Sequence, residues 1–201
     1  MRKQLTAWLS IGSTYTYLTA LRLEQVIARH EVDILVKPIS IRSIMKEMDN
    51  SPFPPSKPEK VRYMWRDIKR RAAGYGLPAP KVPAPYPITH FDRANLFGVV
   101  MVYQGKYIEY LRETYSLWFL NGHEAGSTEN LIHCCNRLKL DYDTMLAAVD
   151  SPEVKQIYEN NTKEARQFGI FGVPSFSING EIFLGMTGWK MRSCSSLNTA
   201  A

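Results

Sequence analysis

Leu5-Thr6-Ala7-Trp8-Leu9-Ser10-Ile11-Gly12-Ser13-Thr14-Tyr15-Thr16-Tyr17-Leu18 is the stretch that decides the fold. Leu5 to Ile11 is apolar apart from Thr6 and Ser10, short enough for a buried strand, and Gly12 ends it. Ser13 stands in a good N-cap position, and Tyr15, Leu18, Leu21, Leu23 and Val26 carry a helical repeat to about His30. Val32 to Ile39, rich in β-branched residues and closed near Pro38, reads as a second strand. Strand, helix, strand at this spacing begins a parallel sheet.

Beyond that unit the pattern changes. The proline-rich stretch Ser51 to Pro58 leads into a helix over about Glu59 to Ala73, which stops at Gly74 and Gly76. Leu77 to Pro87 is irregular, and from His90 to about Phe168 every periodic segment is helical. The clearest start signal is Ser151-Pro152-Glu153, an N-cap, a proline at the first helical position and an acid at the positive helix end. Sheet patterning returns after Phe168-Gly169: Ser175 to Ile178 is a strand, Asn179-Gly180 a hairpin turn, and Glu181 to Leu184 the return strand. This order predicts an α/β, thioredoxin-like fold with an inserted all-helical domain. The thioredoxin-like part would be discontinuous, residues 1–45 and 151–201, and the insertion would span 46–150.

With 45% hydrophobic and 22% charged residues, the composition is that of a globular protein, not a disordered one. The net charge of +6 is spread along the chain, and its densest cluster, Arg66 to Arg71, includes Asp67 and reads as a solvated helix face. No nucleic-acid motif accompanies the charge, so nucleic acid is not an expected partner. Cys134, Cys135 and Cys194 have no C-x-x-C spacing, which argues for a reducing compartment. Met1-Arg2-Lys3 precedes too short an apolar stretch for a signal peptide, and no run approaches the roughly 20 apolar residues of a membrane span. A cytoplasmic protein with no membrane partner is expected.

Two features carry chemistry. Ser13-Thr14-Tyr15-Thr16 occupies the strand-to-helix junction, where redox proteins of this topology hold C-x-x-C because free amide donors and the helix dipole stabilise a thiolate. Serine forms no disulfide, yet the same donors remain for the thiolate of a bound thiol, with the Ser13 hydroxyl as one more. A plain helix cap is the other reading that the local sequence allows. Gly172-Val173-Pro174-Ser175-Phe176 is the second feature: a proline just before a strand suits a cis bond, which in this topology faces the start of the first helix.

Gly12 to Leu18, G-S-T-Y-T-Y-L, resembles the S-P-Y-S-Y-L signature of the family of 2-hydroxychromene-2-carboxylate isomerases and kappa-class glutathione transferases, which have a DsbA-like thioredoxin fold. Phe168 to Phe176, F-G-I-F-G-V-P-S-F, is similar to that family's F-G-V-F-G-V-P-T-F. Asp49-Asn50, Lys60-x-x-Tyr63-x-x-x-Asp67, Trp118-Phe119 and Asn121-Gly122 also resemble it. The resemblance implies glutathione as cofactor and a glutathione-dependent isomerase of aromatic catabolism, with a kappa-type transferase or a non-catalytic thioredoxin-fold binding protein as alternatives. Its implied chemistry is reversible thiolate addition to an unsaturated aryl pyruvate. Ser13 would be the catalytic residue; Thr14, Tyr15, Asn50, Val173, Pro174, Met186 and Thr187 would bind glutathione. Basic groups would hold the carboxylate of a small aromatic substrate, Lys60 being the candidate, and a homodimer is implied.

The departures are specific. Where the family has Asp three residues before the reactive Ser, this chain has Ser10, and its usual proline after that Ser is Thr14. The family's G-x-D-R, whose Asp binds the γ-glutamyl end, is replaced by Gly185-Met186-Thr187-Gly188. Back-translating Met186 to Met191 and reading one nucleotide earlier restores a fixed Asp and a fixed Glu in the family's x-D-R-L-E pattern. A single-base shift near codon 185 would therefore account for the lost motif, and resequencing the gene tests it.

Overall fold

The computed structural model describes residues 4–185 apart from 31 and 52. The expectations for Met186, Thr187, Cys194 and the reading-frame shift lie outside the described residues.

β1 (Gln4–Leu9) and β2 (Asp33–Pro38) pair in parallel, from Gln4 with Asp33 to Leu9 with Pro38. The hairpin β3 (Ser175–Ile178) and β4 (Glu181–Leu184) joins antiparallel to β1, where Thr6 faces Ser177 and Trp8 faces Ser175. The sheet order is β2-β1-β3-β4. All of β3 is buried, as befits a strand covered on both faces. Asn179 and Gly180 both take positive φ, 50° and 83°, the geometry that a two-residue hairpin demands. This is the expected thioredoxin-like α/β fold.

Three local differences have physical causes. β1 stops at Leu9, not Ile11, because the Ile11 backbone is claimed by a side chain of the helical segment instead of a neighbouring strand. The expected single helix to His30 is two, α1 (Thr16–Ala20) and α2 (Leu23–His30). Every residue of α1 is buried, so the chain turns at Leu21-Arg22 before the amphipathic α2 can lie along the surface. Nor does Ser13 cap α1: the N-cap is Tyr15, with no side-chain cap bond.

The third difference is α3 (Ile41–Glu47), a helix between β2 and the proline-rich stretch. Ser40 caps it by accepting from the Ser43 N–H at 3.4 Å. It ends in a Schellman motif, with the Asn50 N–H on the Met45 carbonyl (2.9 Å) and the Asp49 N–H on the Lys46 carbonyl (3.2 Å). Asp49 takes the left-handed position, φ 49°.

The segment 46–150 carries α4 (Pro58–Gly74), α5 (Phe91–Tyr103), α6 (Tyr107–Ser116), a π-helical turn (Leu117–Asn121), α7 (Thr128–Leu138) and α8 (Tyr142–Val149). α9 (Pro152–Gln167) then begins as expected, with Ser151 accepting from the Val154 N–H and Pro152 in the first turn. One apolar core runs from Trp8 and Leu9 of the sheet through Tyr17 and Phe119 to Phe97, Tyr110 and Leu131 of the helices. Phe119, on the π turn, lies 4.8 Å from the Tyr17 ring and 5.2 Å from that of Trp65. Among the described residues no helix is long and apolar enough to cross a membrane.

Candidate active site

The turn between β1 and α1 is held from beneath by two residues far off in sequence. The Asn95 amide accepts from the Ile11 N–H (2.7 Å) and donates to the Ile11 carbonyl (2.9 Å) and to that of Phe91 (2.8 Å). Tyr115 donates its hydroxyl to the Ser13 carbonyl (2.7 Å) and accepts from the Gly12 N–H (3.4 Å). Both side chains are fully buried, so the core satisfies the Ile11 N–H and C=O, the Gly12 N–H and the Ser13 C=O and fixes the turn's direction. Gly12 permits this close approach: at φ +118°, a Cβ there would sit 2.7 Å from Cδ2 of Phe91.

Ser13 faces the second chemical feature directly. Its Oγ donates to the Val173 carbonyl at 3.1 Å, and the Val173-Pro174 bond is cis. The far side of that loop is tied down as well, since the Gly185 N–H donates to the Pro174 carbonyl (2.7 Å) and Ser175 Oγ to that of Gly172 (2.7 Å). The backbone N–H groups of Ser13, Thr14, Tyr15 and Val173 find no acceptor among the described residues. Ser10, at the position of the family's Asp, is fully buried and its hydroxyl has no partner among the described residues.

These groups form one wall of a cavity of about 900 Å³. A second part of the lining comes from α3 and the stretch after it, Arg42, Lys46, Asn50 and Phe53, and Phe91 and Phe171 also line the cavity. Arg42 donates to the Ile88 carbonyl (2.8 Å) and its guanidinium lies 4.2 Å over the Phe91 ring. Partial burial lowers this guanidinium from its ordinary value but leaves it charged at neutral pH.

Of the residues expected from the sequence, Ser13, Thr14, Tyr15, Asn50, Val173 and Pro174 all line this cavity. The Thr14 hydroxyl turns inward to Met64 Sδ (3.0 Å), so Thr14 presents backbone only. Tyr15 donates to Asp67 Oδ2 (2.9 Å); burial and that carboxylate push its phenol well up, which keeps it neutral and unsuited to proton transfer near pH 7. Burial would raise Asp67 too, but hydrogen bonds from Arg70, Arg71 and Tyr15 outweigh it and hold the carboxyl below its usual range. Tyr17 is core, fully buried, with its hydroxyl on the Pro78 carbonyl (2.7 Å).

Lys60 is placed differently from its expected role. It is exposed on α4 and is not among the cavity's lining residues; the cations that line it are Arg42, Lys46 and Arg71. Arg71 is already engaged by Asp67, which leaves Arg42 and Lys46 for an incoming anion. Cys134 and Cys135 are free, fully buried in α7 and not among the cavity's lining residues. Burial pushes the Cys135 thiol up to about 11 and Cys134 further, so neither is a nucleophile at neutral pH.

Residues 4–192 match the model of the DSBA-like thioredoxin domain family. The chain is 26% identical over 188 residues to the 2-hydroxychromene-2-carboxylate isomerase of Sphingobium xenophagum, covering 92% of this chain and 93% of that one. A solved 2-hydroxychromene-2-carboxylate isomerase superposes with a TM-score of 0.81 at 21% identity, over 96% of this chain and 94% of its own. A putative protein disulfide isomerase from Nitrosomonas europaea follows with a TM-score of 0.67 at 16% identity, over 92% and 89%. With its sheet, its Ser13 turn and its cis-Pro174 loop arranged as they are, the chain belongs to the DSBA-like thioredoxin domain family.

Proposed function

We propose that this protein is a glutathione-dependent isomerase of an unsaturated aromatic carboxylate of the 2-hydroxychromene-2-carboxylate or hydroxybenzylidenepyruvate kind. The observation that carries the reading is Ser13 Oγ, 3.1 Å from the Val173 carbonyl in a cavity wall, beside four backbone N–H groups without acceptors among the described residues. Its likeness to an isomerase along nearly the whole chain supports the reaction class.

Glutathione fits this donor set. The N–H groups of Ser13, Thr14 and Tyr15 suit a thiolate, Val173 offers a backbone N–H to a peptide unit, and Asn50 lines the same cavity. What the cofactor supplies when bound is a nucleophilic, readily expelled thiolate for a conjugated double bond. Ser13 has one hydroxyl proton, and it is on the Val173 carbonyl; stabilising a thiolate requires the hydroxyl to turn toward it. That exchange costs about 1 kcal/mol of neutral hydrogen bond against a stronger charge-assisted one. Arg42, steadied by Ile88 and Phe91, and Lys46 would hold the substrate carboxylate, while Phe53, Phe91 and Phe171 present apolar surface to an aromatic ring. Tyr15 positions α1 through Asp67 and moves no proton. The same reading takes the active form as a cytoplasmic homodimer, the free buried thiols of Cys134 and Cys135 suiting a reducing compartment.

The test follows 2-hydroxychromene-2-carboxylate and its ring-opened isomer by ultraviolet absorbance, with and without glutathione. Interconversion that requires glutathione is expected. Conjugation of a chlorodinitrobenzene-type electrophile with no isomerisation would replace this reading by a kappa-type transferase, and glutathione binding without either turnover by a binding protein.

A further inference from the structure

At the start of α7, away from the cavity, three side chains unused by the site converge. Glu129 and His133 are four residues apart on α7 and so share one helix face. His123 reaches them from the segment after the π turn, where Gly122 adopts a left-handed conformation. Its backbone is fixed on both sides: the His123 N–H donates to the Leu117 carbonyl (3.1 Å), and its carbonyl accepts from Asn130 Nδ2 (3.1 Å). Asn130 is fully buried and accepts the Thr114 hydroxyl at 2.6 Å, so the anchor for His123 is itself part of the core.

One potential ligand atom from each of the three lies within 4.8 Å of the others. His123 Nδ1 is 3.0 Å from Glu129 Oε2, and the His123 and His133 rings are 5.4 Å apart between centroids. Two imidazole nitrogens and one carboxylate oxygen form a borderline donor set. Ca²⁺ and Mg²⁺ seek oxygen alone, whereas Zn²⁺ takes two His and one carboxylate, leaving a fourth position for water. Bonds of about 2.0–2.2 Å to such an ion separate neighbouring ligand atoms by roughly 3.3 Å. The His123–Glu129 pair is already near that spacing, and the exposed His133 has the rotamer freedom to close it.

We propose that His123, Glu129 and His133 bind one divalent ion of the Zn²⁺ class, which pins the segment after the π turn to α7. The ion would act on stability, since the π turn carries Trp118 and Phe119 into the core behind α1.

The test uses full-length, tag-free protein stripped with chelator and titrated with ZnCl₂ alone. One saturable Zn²⁺ per chain and a raised melting temperature are expected. His133→Ala and Glu129→Gln, both at exposed positions, should each weaken binding by about 10-fold or more, as loss of even an outer-shell partner commonly does, and leave turnover unchanged. Co²⁺ in place of Zn²⁺ should show ligand-field absorbance without a thiolate charge-transfer band. No saturable binding, binding unaltered in both variants, or a strong thiolate band would overturn the assignment.

Discussion

The two walls of the cavity are built on opposite principles. The wall of Gly12 to Tyr15 and Val173-Pro174 is backbone, fastened by Asn95, Tyr115 and the Gly185 N–H. The wall of Arg42, Lys46, Asn50 and Phe53 is side chains, carried by a short helix and the stretch that follows it. Fixed dipoles suit a task that never changes, the holding of a sulfur anion. Side chains on a peripheral element can be exchanged without disturbing the sheet, which is what a variable acceptor requires. On the proposed reading, the thiol chemistry would belong to the fold, and substrate choice to what is attached to it.

Mutations on the two walls should fail differently. Ser13→Ala is expected to lower turnover by about 100- to 1000-fold, as loss of one preorganised donor does, with a stability change of about 1 kcal/mol or less. Turnover within a few-fold of the native protein would remove Ser13 from the chemistry. Asn95→Leu should cost about 2–4 kcal/mol in denaturant unfolding, because the Ile11 N–H and C=O are both left buried without partners. A loss below about 1 kcal/mol would mean that the first wall is not fastened as described.

On the second wall, Arg42→Ala should raise KM for the carboxylate about 10-fold with kcat little changed, the mark of binding shared by ground and transition states. An equal fall in kcat would place Arg42 in the chemistry instead. Asp67, which ties α1 to α4 through Tyr15, sharpens the comparison by pH. Its folded carboxyl is held below the usual range, so its contribution to stability is present above the unfolded value of about 3.9 and lost as pH falls through the folded one. Unfolding of Asp67→Asn and native protein should therefore differ by a constant amount above about pH 5 and converge in acid. Lys60→Ala, outside the cavity, should change stability by no more than about 0.5 kcal/mol and leave KM unaltered.

Local signals carried most of the fold. Asn179-Gly180 and Ser151-Pro152 are each a few residues whose chemistry admits one backbone path, whereas Gly12-Ser13 marks the strand-to-helix junction without fixing where either element ends. The ends of α9 and α3 show where this stops. Both are Schellman motifs, with the Ile170 N–H on the Ala165 carbonyl in one and the Asn50 N–H on the Met45 carbonyl in the other. In α9 the left-handed residue is Gly169 and the stop is legible; in α3 it is Asp49, and the helix was invisible.

The site divides in the same way. Ser13 and Val173-Pro174 lie in recognisable stretches, but Asn95 and Tyr115 act across 84 and 102 residues and resemble any buried polar side chain on a helix. Arg42 and Lys46 were missed because their role depends on the direction of α3, itself unseen. The resemblance carried by Lys60-x-x-Tyr63-x-x-x-Asp67 points to Lys60 instead, on a face that only tertiary packing reveals as solvent.

The most direct measurement is ultraviolet absorbance of the thiolate as glutathione is titrated with protein at neutral pH. The native protein should ionise the bound thiol well below the free thiol's pKa of about 8.5, and Ser13→Ala should raise that value while still binding glutathione. Bound glutathione that ionises as it does free in solution, or identically with both proteins, would contradict a thiolate-holding wall built around Ser13.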